Sequence, residues 1–442
     1  MTNYKQSAAL CESFLNGQVS IENYFIVNWL TIVPLTGYSS AGFYVIITAM
    51  EKRKVGIIVQ RYGLDINGGA EYHARLIAEK IAPYFHIEVF TSTAYDYITW
   101  EHHYDEGTET INGIPIHRFK VKHPRDPKRF GEIQDLIFHA EHTLQDELDW
   151  LEEEGPYMPE LLDILEKREA EFDFYIFFSY RYYHSYWGLK KFKKKAILVP
   201  TAEHDDVVYL RLFKELFHLP GAVVYNSHEE KEIINKVSGN EAVMGDIVGV
   251  GSEIPAVFSP QSFRDEFDIR GNYFIYIGRL DENKGVPQLL DFYIRLLGEQ
   301  PLDLTLVLMG KSVIEIPEHS NIRYLGFMKD EDKFDALKGA EFLVIPSQFE
   351  SLSMVALEAW AVGKPVVANG RTEVLQGQCR RSNAGLWYSN YDEFKEVVLL
   401  LSGNDKLREI MGHNGREFFE TNYAWPVIEN KYLNIINQLA QK

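Results

Sequence analysis

Short apolar runs rich in β-branched and aromatic residues, each followed by a longer amphipathic stretch, recur along most of this chain. That alternation restricts its fold more than any other feature. Val55–Val59, His86–Thr91, Phe174–Phe178, Ala196–Val199 and Ala222–Tyr225 form one series. After a stretch carrying Gly249, Gly251, Pro255 and Pro260, a second series runs through Tyr273–Ile277, Leu304–Met309, Asn321–Leu325, Glu341–Ile345 and Pro365–Ala368. Strands separated by helices pair in parallel, so the spacing predicts two α/β domains, each a parallel sheet wrapped by helices. Two such halves hold a ligand in the cleft at the carboxyl ends of their strands. The expected divisions are an extension over 1–50, a first domain over 51–255, a second over 256–425 and a last helix over 426–442, with a hinge near 250–265.

From Asn23 to Met50 no residue is charged, which is long enough to span a bilayer, and Lys52, Arg53 and Lys54 follow. Asn28, Pro34, Gly37 and Ser39 interrupt the run, and neither the basic start nor the cleavage site of a signal peptide is present. No function is placed on this extension, and a peripheral membrane contact stays open. The two cysteines, Cys11 and Cys379, rule out a disulfide framework and a zinc knuckle and point to a reducing, cytoplasmic compartment.

A net charge of −19 works against binding a phosphate backbone, so nucleic acid is not an expected partner. Much of the excess is local: between Glu132 and Glu171, 14 acids face only Lys167 and Arg168. Ile133, Leu136, Ile137, Leu144, Leu148 and Leu151 have helical spacing, and a Gly155-Pro156 break precedes Leu161, Leu162 and Leu165. This predicts a helical hairpin inserted over about 130–170, with a solvated acidic face over an apolar stripe. The basic knot Lys190, Lys191, Lys193, Lys194 and Lys195 reads as solvated surface, with contact to anionic lipid as the alternative. The aromatic run Tyr180–Trp187 suits either core packing or stacking on sugar rings.

Three turns carry chemistry. The first strand leads into Asn67-Gly68-Gly69-Ala70-Glu71, where two glycines let a bound group approach the backbone at a helix start. Tyr273–Ile277 leads into Gly278-Arg279-Leu280-Asp281-Glu282-Asn283-Lys284-Gly285, placing two cations around one turn, suited to the charge on a departing diphosphate. Glu341–Ile345 leads into Pro346-Ser347-Gln348-Phe349-Glu350-Ser351-Leu352-Ser353. Ser351 is the expected N-cap of a helix over Leu352–Val362 that contains Glu358. Glu350 and Glu358 then lie about two turns apart and flank a phosphate at the helix start. The helix is otherwise apolar, so an acid within it needs a reason.

The turn Gly278–Gly285, the pair Glu350 and Glu358 with seven residues between them, and the trailing Gly363-Lys364-Pro365-Val366-Val367-Ala368 resemble the retaining family 4 glycosyltransferases of GT-B architecture, over roughly residues 54–440. The resemblance implies two Rossmann-like domains, with a nucleoside diphosphate sugar held mainly by the second and an acceptor mainly by the first. It implies no cofactor and no metal, the nucleotide sugar being a co-substrate. The acceptor is a glycan, a lipid-linked sugar or a small molecule, as in polysaccharide synthesis, and the last helix crosses back to the first domain.

By the same resemblance Arg279 and Lys284 bind the diphosphate, Glu350 the hexose hydroxyls and Glu358 the ribose. Gly68 and Gly69 admit the diphosphate from the first domain, Ser351 and the amides of Leu352 and Ser353 complete its cradle, and Phe327 and Met328 after Gly326 meet the base. The family often turns a histidine toward the donor sugar, which makes His204 a catalytic candidate. In Thr201-Ala202-Glu203-His204-Asp205-Asp206, however, Glu203 falls in the histidine slot, and His184 is a third candidate. The rival readings are a sugar-nucleotide epimerase on the same architecture and a non-catalytic nucleotide-sugar-binding scaffold.

Overall fold

The computed structural model describes residues 52–66 and 68–441. The 1–50 extension, with Cys11 and its uncharged run, and Asn67 of the glycine turn lie outside the described residues.

The first sheet holds β1 (Lys54–Ile58), β2 (His86–Ser92), β3 (Gly107–Ile111), β4 (Ile114–Phe119), β5 (Phe174–Phe178), β6 (Ala196–Val199), β7 (Ala222–Tyr225) and β8 (Met244–Ile247), of which β3, β4 and β8 lie outside the expected series. Its order is β3-β4-β2-β1-β5-β6-β7-β8, parallel throughout except for the edge pair β3 and β4. That hairpin turns at Asn112-Gly113, both with positive φ, the preferred chemistry of a two-residue turn. The helices of this half are α1 (Gly69–Ile81), α2 (Pro127–His139), α3 (Leu144–Glu154), α4 (Pro159–Lys167), α5 (Tyr183–Phe192), α6 (Arg211–Lys214) and α7 (His228–Ser238).

The second sheet contains β9 (Asn272–Ile277), β10 (Leu304–Met309), β11 (Ile322–Gly326), β12 (Leu343–Ile345), β13 (Val366–Asn369) and β14 (Gly385–Tyr388), all parallel, in the order β11-β10-β9-β12-β13-β14. Its helices are α8 (Pro260–Glu266), α9 (Val286–Glu299), α10 (Asp330–Gly339), α11 (Met354–Ala361), α12 (Glu373–Ser382), α13 (Tyr391–Ser402), α14 (Asp405–Asn422) and α15 (Trp425–Ala440). Central strands such as β5 and β12 are buried along their whole length, as a sheet covered on both faces requires. In each sheet the order reverses at one strand, β1 in the first and β9 in the second, and a crevice forms above such a reversal. The glycine turn at 68–69 and the cationic turn at 278–285 follow these two strands.

The last helix returns to the first sheet. Lys431 Nζ donates to the Ile247 carbonyl (2.8 Å), Tyr84 donates to Glu429 (2.9 Å), and Lys80 sits over the Trp425 ring. No helix among the described residues is long and apolar enough to cross a membrane.

The acidic insertion departs from expectation in two ways. It is three helices rather than a hairpin, because the apolar series before Gly155 breaks between His139 and Leu144 and Thr143 caps a new helix. Its acidic face is also not simply solvated: Glu147, Glu153 and Glu154 are buried. Glu147 accepts from Arg211 Nε (2.7 Å) and the Leu212 amide (2.9 Å), tying α3 to α6. Substituting Glu147 with alanine strips that amide of its acceptor and is expected to cost roughly 2 kcal/mol of stability, read as a lower urea midpoint at unchanged slope.

Tyr180 and Tyr186 are buried against Phe213, so core packing, not sugar stacking, accounts for these two rings. Three lysines of the basic knot are engaged rather than simply solvated. Lys190 bonds Tyr186 (2.6 Å), Lys191 pairs with Glu166 (2.6 Å), and Lys195 reaches the carbonyls of Glu169 and Phe172.

Candidate active site

The turn after β9 is organised by Asp281, which is buried. One of its oxygens accepts the Lys284 amide (2.8 Å) and the other accepts Arg279 Nε, so a single carboxylate sets the direction of both cations. Gly285 closes the turn at φ +71°, and a Cβ there would stand 2.3 Å from the Pro346 carbonyl. Glycine therefore lets the turns after β9 and β12 lie backbone against backbone. Lys284 Nζ consequently reaches Glu350 Oε1 at 2.7 Å. Burial would lower the Lys284 ammonium, but Glu350 outweighs it and the group is held above its usual range.

The turn after β12 is braced by the end of β13, where Asn369 donates to the Pro346 carbonyl (2.9 Å), and by the cap of α12, where Thr372 donates to the Ser347 carbonyl (2.6 Å). Its helix begins later than expected. Ser353, not Ser351, is the N-cap, with φ +63° and no side-chain capping bond, and α11 starts at Met354. A left-handed serine is a strained position, and such strain collects at binding sites. The amides of Leu352 and Ser353 have no acceptor among the described residues, so they are free for an anion ahead of α11. Inside α11, Glu358 is buried and its Oε1 is taken by Lys333 of α10 at 2.9 Å, with Asp330 3.0 Å from the same ammonium. Burial raises the Glu358 carboxyl in spite of Lys333. At the end of β11 the Phe327 ring is 60% exposed, and the neighbouring Met328 packs against the core.

The first domain brings Gly68, Gly69 and a guanidinium that the sequence reading did not single out. Arg61 donates to Glu71 (2.8 Å) and to the Tyr95 carbonyl (2.7 Å) beside the start of α1. A Cβ at Gly68 would meet Glu71 and Arg61, whereas one at Gly69 would meet open space. Gly68 is thus required by packing and Gly69 leaves room for a ligand. The pattern of an arginine after the strand and a glutamate in the first helical turn was present in the sequence.

The three candidates for the residue turned toward a donor sugar, His184, Glu203 and His204, stand in different surroundings. His184 is buried beneath the Phe178 carbonyl, and burial pushes its ring down to about 3, which removes it from the cleft. His204 lies at the rim, bonded to Tyr209 (2.8 Å) and to Glu373 of the second domain (3.2 Å). Glu203 is the one that feels the Lys284–Glu350 pair. Burial pushes its carboxyl up to about 7, Glu350 adds to the rise, and Lys284 opposes it. Beneath it Glu230, fully buried, accepts the amides of Ala202 (2.6 Å) and Asn226 (2.5 Å) and pins the turn after β6. A cavity of about 280 Å³ lies here between the domains, lined by His204, Glu230, Phe349, Glu350, Arg371 and Glu373 among others.

Residues 259–418 match the family model described as "Glycosyl transferases group 1". An uncharacterized glycosyltransferase of Methanocaldococcus jannaschii is 29% identical over 167 residues, covering 35% of this chain and 44% of that protein. A GDP-mannose-dependent monoacylated alpha-(1-6)-phosphatidylinositol monomannoside mannosyltransferase of Corynebacterium glutamicum is 24% identical over 172 residues, covering 36% of this chain and 45% of that protein. The chain thus spans under half the length of these relatives. Among solved structures, sucrose-phosphate synthase from Thermosynechococcus elongatus superposes with a TM-score of 0.64 at 16% identity, covering 88% of this chain and all of that one. Anabaena HepE in complex with UDP-glucose gives 0.62 at 14%, again over 88% of this chain and all of that one. At such identities these two show the fold, which is GT-B.

Proposed function

We propose that this chain, whose residues 259–418 belong to the group 1 glycosyl transferases on a GT-B fold, moves a hexose from a nucleoside diphosphate sugar to an acceptor hydroxyl with retention at the anomeric carbon. The observation that carries the reading is the junction of the turns after β9 and β12. There Asp281 aims Arg279 and Lys284, Lys284 meets Glu350, and the free amides ahead of α11 stand next to Glu350. Charge grows on the diphosphate as the sugar leaves. Two fixed cations and two amide donors meet that charge, which supports catalysis without a divalent metal. Glu350, anchored by Lys284, is placed for the hexose hydroxyls, Glu358 for the ribose, and Phe327 with Met328 for the base.

Retention follows if the acceptor attacks from the face the diphosphate leaves, its proton passing to the departing phosphate. Glu203, held near neutrality, serves better as a hydrogen-bond donor to the sugar than as a nucleophile. His204, at the rim, then contributes to closure through Glu373 rather than to bond making. The relatives that act on lipid-linked or sugar acceptors support a glycan acceptor, and the cysteine usage supports a cytoplasmic reaction.

Calorimetry with UDP, GDP and ADP in the absence of divalent metal tests the donor site, followed by transfer assays with the matching sugars. One diphosphate is expected to bind at about 1–10 μM, near −7 to −8 kcal/mol. Binding of none removes the donor site, and binding without turnover on any acceptor favours the scaffold.

A further inference from the structure

Arg279, the diphosphate cation of the second domain, is held by a residue of the first. Its Nη1 donates to the Tyr97 hydroxyl at 2.8 Å while its Nε is held by Asp281, and its Nη2 has no partner among the described residues. The Tyr97 ring also lies within 5.4 Å of Arg61 and 5.7 Å of Arg279, so it stands between a cation of each domain. Tyr97 is itself held from behind. Its carbonyl accepts from Arg125 Nη1 (3.1 Å), and the Arg125 guanidinium is held by the Glu153 carbonyl (2.9 Å) and by Glu154, both through its carbonyl and through Oε2 (2.8 Å). The Glu154 carbonyl also accepts from the buried Trp100 indole (2.9 Å), which fixes the far end of the same loop. The other Glu154 oxygen takes Arg181 (2.7 Å), and Arg181 reaches Asp205 (3.1 Å) in the turn that carries Glu203. One buried carboxylate at the end of α3, within the acidic insertion, therefore braces both first-domain turns that face the donor.

We propose that Tyr97 is a positioning residue for the donor diphosphate. It fixes Arg279 so that Nη2 is left for the ligand, and Glu154 sets Tyr97 through Arg125. The inference rests on the nucleotide-sugar reading above and adds to it a first-domain residue and a purpose for the insertion. A guanidinium bound on one side only would have to be ordered by the ligand itself, at an entropic cost that two fixed contacts have already met. Because Tyr97 and Arg279 belong to different domains, the contact also ties diphosphate affinity to closure of the cleft.

The test is Tyr97→Phe, which keeps the ring and removes the hydroxyl. Calorimetry is run with UDP, GDP and ADP, and with the corresponding nucleosides, on wild type and variant, beside donor kinetics. The diphosphate that wild type binds is expected to bind the variant roughly tenfold more weakly, and kcat/KM for the donor to fall by at least a similar factor. The nucleoside, which lacks phosphate, is expected to bind both alike, and the thermal midpoint to stay within about 2 °C, which a merely structural role would not produce. Glu154→Gln is expected to weaken diphosphate binding in the same direction without touching donor. Diphosphate affinity within twofold of wild type in Tyr97→Phe overturns the proposal while leaving the donor site standing. Failure of wild type to bind any of the three diphosphates overturns both, and is seen before any substitution is made.

Discussion

Replacing Lys284 with methionine is expected to cut kcat/KM for the nucleotide sugar by roughly a thousandfold, about 4 kcal/mol at the transition state. The ammonium is charged under any ordinary assay condition, because Glu350 holds it above its usual range in spite of burial. Its attraction to the diphosphate grows as the bond to the sugar breaks, so most of the loss falls on kcat rather than on KM. Arg279 remains in place through Asp281 and Tyr97, and ground-state binding survives in part. Methionine matches the aliphatic stem but leaves Glu350 as an unpaired carboxylate in a partly buried turn, so the variant is also expected to lose stability. The double variant Lys284→Met, Glu350→Gln separates the two effects: it is expected to recover the thermal midpoint and none of the transfer. A single variant that keeps more than a tenth of wild-type kcat/KM would falsify the leaving-group role of Lys284.

The parts of this protein that were legible in the sequence are those where one physical cause decides. Buried strands such as β5 and β9 stand out because a sheet covered on both faces needs unbroken apolar runs. The cationic turn stands out because charge at the end of such a strand has few structural uses. What escaped depends on contacts between distant segments. β3 was missed because it is exposed at the sheet edge, and β4, which alternates buried and half-buried residues, was missed with it although Asn112-Gly113 marked their turn. The helix cap slid from Ser351 to Ser353 because the turn is set by Asn369 at the end of another strand and by Thr372 in the turn after it, not by local capping preference. The acidic insertion was misread for the same reason. A run of carboxylates in sequence looks solvated until Arg125, Arg181 and Arg211, none of them within the insertion, are seen to claim Glu147 and Glu154. Tyr97 carries no motif of its own, and it matters through what it holds.

The pH profile of transfer is expected to contain a limb near pH 7 that Glu203→Gln removes. Burial pushes the Glu203 carboxyl up to about 7, with Glu350 and Asp205 adding to the rise and Lys284 and Arg181 opposing it. Below that pH the group is neutral and can donate to a sugar hydroxyl. Above it a second carboxylate charge stands beside Glu350 and next to an anionic diphosphate, so kcat/KM for the donor is expected to fall toward tenfold per pH unit, a limb that glutamine lacks. Folding follows the same sign. A carboxyl raised in the folded state adds stability below its unfolded value of 4.5 and loses it as pH rises through 7. Above pH 7 the glutamine variant is therefore expected to melt higher than wild type, and at pH 5 the difference is expected to shrink. Glu230, pushed up to about 8 by burial with Glu203 adding to the rise, is the neighbour able to imitate this behaviour, because it holds the Ala202 amide of the same turn. It titrates later, so a limb that survives in Glu203→Gln near pH 8 belongs to Glu230 and to the set of the turn. A limb that stays near pH 7 in that variant removes Glu203 from the donor site altogether.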